Sequence, residues 1–396
     1  MPRTPAAVSR SETVRPRVSA SERVVRELPN GVMECEVFRS DYAWDSLFAL
    51  ASRFNPKRGF IFVSKVLGKH WPVEPRVMAR THAELAERLT GLRLEKPVVL
   101  IAMAETAVGL GRGVFDSYAD SVGPDGLLFL QTTRYNVGLQ PLLTSDEPHC
   151  HAREHAVFMD MKNPEKTRIL RDAKSLVLVD DELTTGRTLR GLAGEFGKFG
   201  AVGRVACAAL ASFLTPAARA GLGRGLAARV SLVSLLEGTF TFRKTADMPD
   251  PAFRSSGSWA PMAGIVARER GRLGLLPGED LPDLAGAVAG LALEPGEPVR
   301  VIGTGEFLHE PFLLARELER GGREVVFQST TRTPVAVGAG IGSAWRFRDN
   351  YGEGLDNFLY NAPASFPGRT VVCRETAFSP DGFDVAGSLG ASEILL

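Results

Sequence analysis

The chain has 396 residues, 44% of them hydrophobic and 23% charged, with a formal net charge of +1. This composition excludes a disordered, collagenous or disulfide-stapled chain, and the near-zero charge supplies no long-range field for nucleic acid or membrane. Four scattered cysteines, Cys35, Cys150, Cys207 and Cys373, make no CxxC pair, so no zinc ribbon or disulfide framework is expected and a reducing cytoplasm fits.

The length exceeds what one hydrophobic core usually organises, so two domains are expected. Residues 1–30 mix Arg, Ser, Pro and Glu without an apolar stretch and read as a mobile tail, neither signal peptide nor anchor. Gly59–Val63, Pro97–Ala102, Leu127–Leu130 and Leu176–Val179 are short apolar runs bounded by turn residues, the pattern of buried parallel strands. Between them, Thr81–Leu89 and Thr188–Phe199 repeat apolar residues at helical spacing, the second closed by Gly200. Strand and helix alternate, which predicts an α/β fold: a parallel sheet with helices on both faces, within a domain of residues 31–238. The longest apolar run, Val205–Leu214, is too short to span a bilayer. Residues 239–290 lose periodicity and read as a linker or irregular excursion. Strand signals return at Val299–Ile302, Glu324–Phe327 and Thr370–Cys373, giving a second, smaller α/β lobe over 291–396.

The lobes echo one another. PVVLIAMAE (Pro97–Glu105) resembles PVRVIGTGE (Pro298–Glu306), LLFLQTTR ending at Arg134 resembles VVFQSTTR ending at Arg332, and a third apolar strand follows each. The order is kept, which makes the second lobe a candidate degenerate duplication of the first.

LVLVDDELTTGRT (Leu176–Thr188) joins an apolar strand, two adjacent acids and a Thr/Gly loop that opens a helix. Backbone N–H groups and a helix N-terminus favour a phosphate there, Gly186 permits close approach, and Asp180 and Asp181 can accept hydrogen bonds from neighbouring sugar hydroxyls. The rival reading is a plain buried strand ending in an acidic turn. TSDEPHCHAREH (Thr144–His155) gathers three of the six histidines, His149, His151 and His155, as a metal site, a mobile loop or a merely polar surface loop. NPKRGFIFVSKVLGKHWPV (Asn55–Val73) gathers Lys57, Arg58, Lys65, Lys69 and His70, either facing an anionic ligand or forming a solvated basic surface.

The Leu176–Thr188 string resembles the motif that binds phosphoribosyl pyrophosphate (PRPP) in type I phosphoribosyltransferases. The resemblance implies that Asp180 and Asp181 hold the ribose 2′ and 3′ hydroxyls, and that Thr184, Thr185, Gly186, Arg187 and Thr188 hold the 5′-phosphate. It implies that Ala104, Glu105 and Thr106, in the strand-turn-helix IAMAETAVGLG, bind pyrophosphate through backbone amides, and that His149, His151 and His155 lie on the mobile loop that closes over substrate. Lys65 and Lys69 are then candidate catalytic cations beside Asp180 and Asp181. With the Asn55–Val73 and His-rich segments, the chain resembles the orotate-phosphoribosyltransferase-like group of bacterial tellurite-resistance and stress operons, whose C-terminal domain is named for a Thr-Arg-Ser-Pro motif. Thr331, Arg332, Thr333 and Pro334 match that motif with Thr in place of Ser.

The group implies a Mg²⁺-dependent transferase that uses PRPP and an unidentified base or nucleotide in nucleoside-like metabolism, cytoplasmic and homo-oligomeric, with no nucleic-acid or membrane partner. No residue is assigned as a metal ligand. Two rivals stand beside it: a non-catalytic PRPP or nucleotide sensor, and the reverse, nucleotide-cleaving reaction. Opposite the acidic pair the second lobe carries VVCRETAFSPDG (Val371–Gly382), without the adjacent acids or the Thr-Thr-Gly loop, so it is not expected to bind PRPP in the same way. Thr331 and Arg332 could hold another anion or reach the first lobe's pocket, and a purely structural lobe is the alternative.

Overall fold

The structure is a computed structural model that describes residues 21–55, 58–145, 155–249, 253, 270–279, 281–363, 365–375 and 385–396. The first lobe opens on an antiparallel pair, Glu22–Leu28 (β1) and Gly31–Ser40 (β2), with Met33, Cys35 and Val37 of β2 alternating into the core. Trp44–Leu47 (α1) leads into a hairpin of Phe48–Ser52 (β3) and Phe60–Ser64 (β4). Next come Pro75–Gly91 (α2), Val98–Ala102 (β5), Val108–Val122 (α3), Leu127–Thr133 (β6), Leu143–Ser145 (β7), His155–Val157 (β8), Pro164–Asp172 (α4), Ser175–Leu183 (β9), Arg187–Phe196 (α5), Arg204–Ser212 (β10), Pro216–Gly221 (α6) and Arg229–Lys244 (β11).

One sheet takes β1, β2 and β5 to β11, in the order β1-β2-β11-β10-β9-β5-β6-β8-β7, and β11, β10, β9, β5 and β6 run parallel. Every residue of β5 and β6 is buried, as a strand covered on both faces requires. From β5 the chain crosses through α3 to β6 in one direction, and from β9 through α5 to β10 in the other. Right-handed crossovers therefore place α3 and α5 on opposite faces. The loops after β5 and β9 diverge at this reversal and leave a crevice beyond the strand ends, where ligands bind in open α/β sheets.

The second lobe contains Leu284–Gly290 (α7), Val299–Gly303 (β12), His309–Arg320 (α8), Val325–Ser329 (β13), Ala344–Arg348 (β14), Asp356–Tyr360 (β15), Arg369–Arg374 (β16), Val385–Leu389 (α9) and Ser392–Leu395 (β17). Its parallel sheet has the order β13-β12-β16-β17. The central strand β12 thus has its successor β13 on one side and β16 on the other, the same arrangement as β6-β5-β9. The echo extends to a hydrogen bond: Ala104 N donates to Thr132 Oγ1 at 2.8 Å, and its counterpart Gly305 N donates to Thr330 Oγ1 at 2.9 Å. The lobes are joined by reciprocal backbone bonds between Val73 and Phe327, at 2.9 and 2.7 Å, and by packing of α2 and α3 against α8.

Four expectations need correction. The Gly59–Val63 run is no parallel strand; it forms β4, antiparallel to β3, and its Phe62 stacks on Phe213 at 4.4 Å, pinning the hairpin over β10. Part of the expected N-terminal tail is β1, because its Val24 and Leu28 are buried along the edge of the sheet. The expected linker begins inside β11, which runs to Lys244 beside β2, and its later part docks Leu275 on Phe129 of β6. Helix α5 ends at Phe196 with Gly197 as its cap, one turn before Gly200.

Candidate functional site

At the crevice, β9 carries Asp180, Asp181 and Glu182 out of the core and the chain turns through Thr184, Thr185 and Gly186 into α5. Gly186 is the N-cap in the left-handed region, at φ 66°, which favours glycine, and an added Cβ would lie 2.4 Å from Leu222 Cδ2, so that side chain would have to shift. The resulting cavity of ≈ 180 Å³ is lined by residues 180–189 and Arg58. Arg58 pairs with Glu182 across it. Of the basic residues in the Asn55–Val73 segment, Arg58 lines this cavity; charge clustering does not distinguish it from the lysines, because only the β3–β4 hairpin aims it.

Burial, followed by the charge of Asp181, raises Asp180 well above the ordinary carboxylate range, and burial likewise raises Asp181. Burial pushes Glu182 to about 7 against the opposing pull of Arg58, and no described residue donates a hydrogen bond to its Oε2. Burial thus disfavours the ionised form of all three acids. A folded state that keeps a proton the unfolded chain has released loses stability as pH rises, here from the ordinary 4.5 to about 7. The melting temperature of the ligand-free protein, followed from pH 5 to 7, should therefore fall. Glu182→Gln should flatten that slope by removing a contribution of up to about 3 kcal/mol. Equal slopes in the two proteins would refute it.

The other expected site residues separate into groups. Ala104, Glu105 and Thr106 follow β5, whose Ala102 pairs with Val179, so their turn borders the crevice beside Asp180. The amides of Glu105 and Thr106 donate to no acceptor among the described residues. Lys65 lies elsewhere, donating to the Asp45 carbonyl at 2.7 Å with its ammonium over the Trp71 ring. Lys69 does not face the crevice either: it is 1% exposed, pairs with Glu105 at 2.7 Å and donates to the Gly305 carbonyl at 2.5 Å. His155 starts β8. Lys57, His149 and His151 lie outside the described residues.

Between the lobes lies a buried charge network that sequence reading did not assemble. Arg332 Nε stands 3.8 Å from Glu105 Oε2, its Nη1 3.7 Å from Glu353, and its guanidinium 5.0 Å from the Tyr135 ring centroid. Thr331 pairs through its backbone with Phe358, and its hydroxyl accepts from Thr333 N. Arg272, fully buried, donates to Glu306 Oε2 at 2.9 Å and Glu375 Oε2 at 2.7 Å. Glu306 also accepts from Thr133 Oγ1 at 2.6 Å and Arg134 N at 3.0 Å. By strand register Arg374 and Glu375 stand where Asp180 and Asp181 stand in the first lobe. Arg272 therefore enters the second lobe's own crevice and neutralises its acids. The repeat PVRVIGTGE pointed to Glu306; nothing in the irregular segment singled out Arg272.

A family model described as "Phosphoribosyl transferase" matches residues 47–239, and one described as "TRSP domain C terminus to PRTase_2" matches residues 269–386. No match was found among curated proteins. Similar solved structures include adenine phosphoribosyltransferase from Giardia lamblia complexed with 9-deazaadenine, with a TM-score of 0.33 and 19% identity over 49% of this chain and 94% of that one. Adenine phosphoribosyl transferase from Trypanosoma brucei, in complex with AMP, pyrophosphate and ribose-5-phosphate, gives 0.32 and 12% over 48% and 76%. A hypoxanthine phosphoribosyltransferase from Staphylococcus aureus gives 0.25 and 13% over 43% and 79%. No helix among the described residues is long and apolar enough to cross a membrane.

Proposed function

The chain belongs to the phosphoribosyl transferase family that carries a TRSP domain on its C-terminal side, and from that premise we propose that the crevice at Asp180–Thr188 binds PRPP and transfers its phosphoribosyl group to a base-like acceptor. The observation that carries the reading is the union, at the point where strand order reverses, of two half-buried acids with a Thr/Gly cradle at a helix N-terminus. Asp180 and Asp181 accept from the ribose 2′ and 3′ hydroxyls; Thr184 to Thr188 hold the 5′-phosphate; the Ala104–Thr106 turn receives pyrophosphate on its amides.

Transfer proceeds as pyrophosphate leaves the anomeric carbon, whose ring develops oxocarbenium character. The step needs no covalent nucleophile from the protein. Its residues orient the ribose, and the acids that hold its hydroxyls stabilise the developing positive charge. The crowded acids suit a divalent cation: Asp180 and Asp181 would hold Mg²⁺ or the water around it. Bound there, Mg²⁺ supplies charge neutralisation for the leaving group. The motif resemblance further supports a nucleoside-like product made under tellurite or other stress.

Calorimetric titration with PRPP, with and without Mg²⁺, tests the reading. Binding that strengthens with Mg²⁺, followed by pyrophosphate release when candidate bases are added, is expected. Binding without release in any base or nucleotide screen would leave a sensor in place of an enzyme; absence of binding would refute the PRPP assignment.

A further inference from the structure

The first lobe's turn at Ala104–Thr106 presents a chemical difficulty. A carboxylate at its centre, Glu105, borders the place where pyrophosphate would sit, and like charges in a buried crevice repel strongly. The structure resolves the difficulty with groups from outside the turn. Lys69 meets one carboxylate oxygen at 2.7 Å, and Arg134 and Arg332 approach the other at 3.9 and 3.8 Å. Burial alone would raise this carboxyl, but the three cations overcome it and hold Glu105 ionised, at about 2.

One of these links crosses between lobes, and a further bond of Lys69 crosses as well. Arg332 belongs to the second lobe and is fixed on its far side by Glu353 and beneath by the Tyr135 ring. Lys69 belongs to the first lobe but spends another proton on the Gly305 carbonyl of the second. The carboxylate is thereby drawn toward the lobe junction, while the amides of Glu105 and Thr106 remain without a protein acceptor among the described residues.

We propose that the second lobe is a clamp on the pyrophosphate turn: Arg332 is a positioning residue that holds and neutralises the Glu105 carboxylate, so that the turn offers its amides to an anion. The proposal rests on the reading of Ala104–Thr106 as the pyrophosphate subsite. It gives the Thr-Arg motif a task inside the transferase reaction and explains why the two lobes are packed into one body. Arg332 touches neither the ribose cradle nor any group lining it, so its effect is confined to one half of the ligand.

The test separates the halves. Arg332→Gln, Arg332→Lys and the wild type are titrated with PRPP, inorganic pyrophosphate and ribose 5-phosphate, all with Mg²⁺. Arg332→Gln should weaken PRPP and pyrophosphate roughly tenfold, the scale of one lost ion pair in a buried site, and leave ribose 5-phosphate unchanged. Arg332→Lys, which keeps the charge, should recover much of the loss. Unchanged pyrophosphate affinity, or equal weakening of all three ligands, overturns the clamp while the wild-type titration still upholds the transferase reading. Failure of the wild type to bind PRPP and ribose 5-phosphate overturns that reading, and the clamp with it. Should Arg332→Gln not fold, Glu353→Gln loosens Arg332 from behind and should reproduce the selective loss at smaller size; no selective loss there overturns the clamp as well.

Discussion

Replacing Asp180 and Asp181 together with Asn is expected to remove PRPP binding and to raise the melting temperature in the same step. Each carboxylate that accepts from a ribose hydroxyl contributes about 1.5–3 kcal/mol as a charge-assisted hydrogen bond. The pair together is worth about 3–6 kcal/mol, or roughly 10²- to 10⁴-fold in affinity. The stability effect has the opposite sign. In the ligand-free protein burial and mutual repulsion penalise both ionised acids, and Asn keeps their shape without the charge. Relief of about 1 kcal/mol would lift the melting temperature by about 2–4 °C in a domain of this size. Calorimetry and thermal unfolding on one preparation read both. PRPP binding retained within a few fold of wild type would sink the assignment of the acids, whereas lost binding with a fall of several degrees would report misfolding. A site whose removal stabilises the protein is one the fold maintains against its own stability.

How far the sequence disclosed this site depends on where its parts lie. LVLVDDELTTGRT was legible because strand, acids, loop and helix start are contiguous, and a contiguous string needs no tertiary information to be read. The parallel strands β5, β6 and β9 were legible for a related reason: full burial leaves an unbroken apolar run. The same rule misread β4. Its apolar run comes from an aromatic cluster beneath a hairpin, with Phe48, Phe62 and Phe213 in mutual contact, and composition does not distinguish that from a parallel core strand. The alanine-rich run of β10 was noticed only as too short for a membrane span, although it is a central strand between β9 and β11. Among the clustered cations, charge alone could not say which faced the crevice. Arg58 does, while Lys69 turns to the other lobe, because neighbouring side chains on a hairpin and its exit loop point to different faces. Arg272, Glu306 and Glu375 are separated by tens of residues and meet only when both lobes have formed.

That last meeting carries the largest stability prediction. Arg272→Met should destabilise the protein by about 3–5 kcal/mol, because it takes from two buried carboxylates the guanidinium they share. Glu306 is 1% exposed and Glu375 0%, so neither can turn to solvent. Glu306 also accepts from Thr133 and the Arg134 amide, and Glu375 from the Tyr351 hydroxyl, but such neutral donors do not replace the charge of Arg272. Met matches the length of the lost stem, so the cost is electrostatic and not that of a cavity. The triple variant Arg272→Met, Glu306→Gln and Glu375→Gln should therefore recover most of the loss, since removing all members of a buried ionic group is far milder than removing one. Urea unfolding of the wild type, single and triple variants measures both steps. A single variant within about 1 kcal/mol of wild type would show that the network is solvated in a way its burial denies, and a triple variant no better than the single would assign the loss to packing. If both steps hold, the second lobe's crevice, structurally the counterpart of the one that carries Asp180 and Asp181, has exchanged a ligand for an arginine of its own chain.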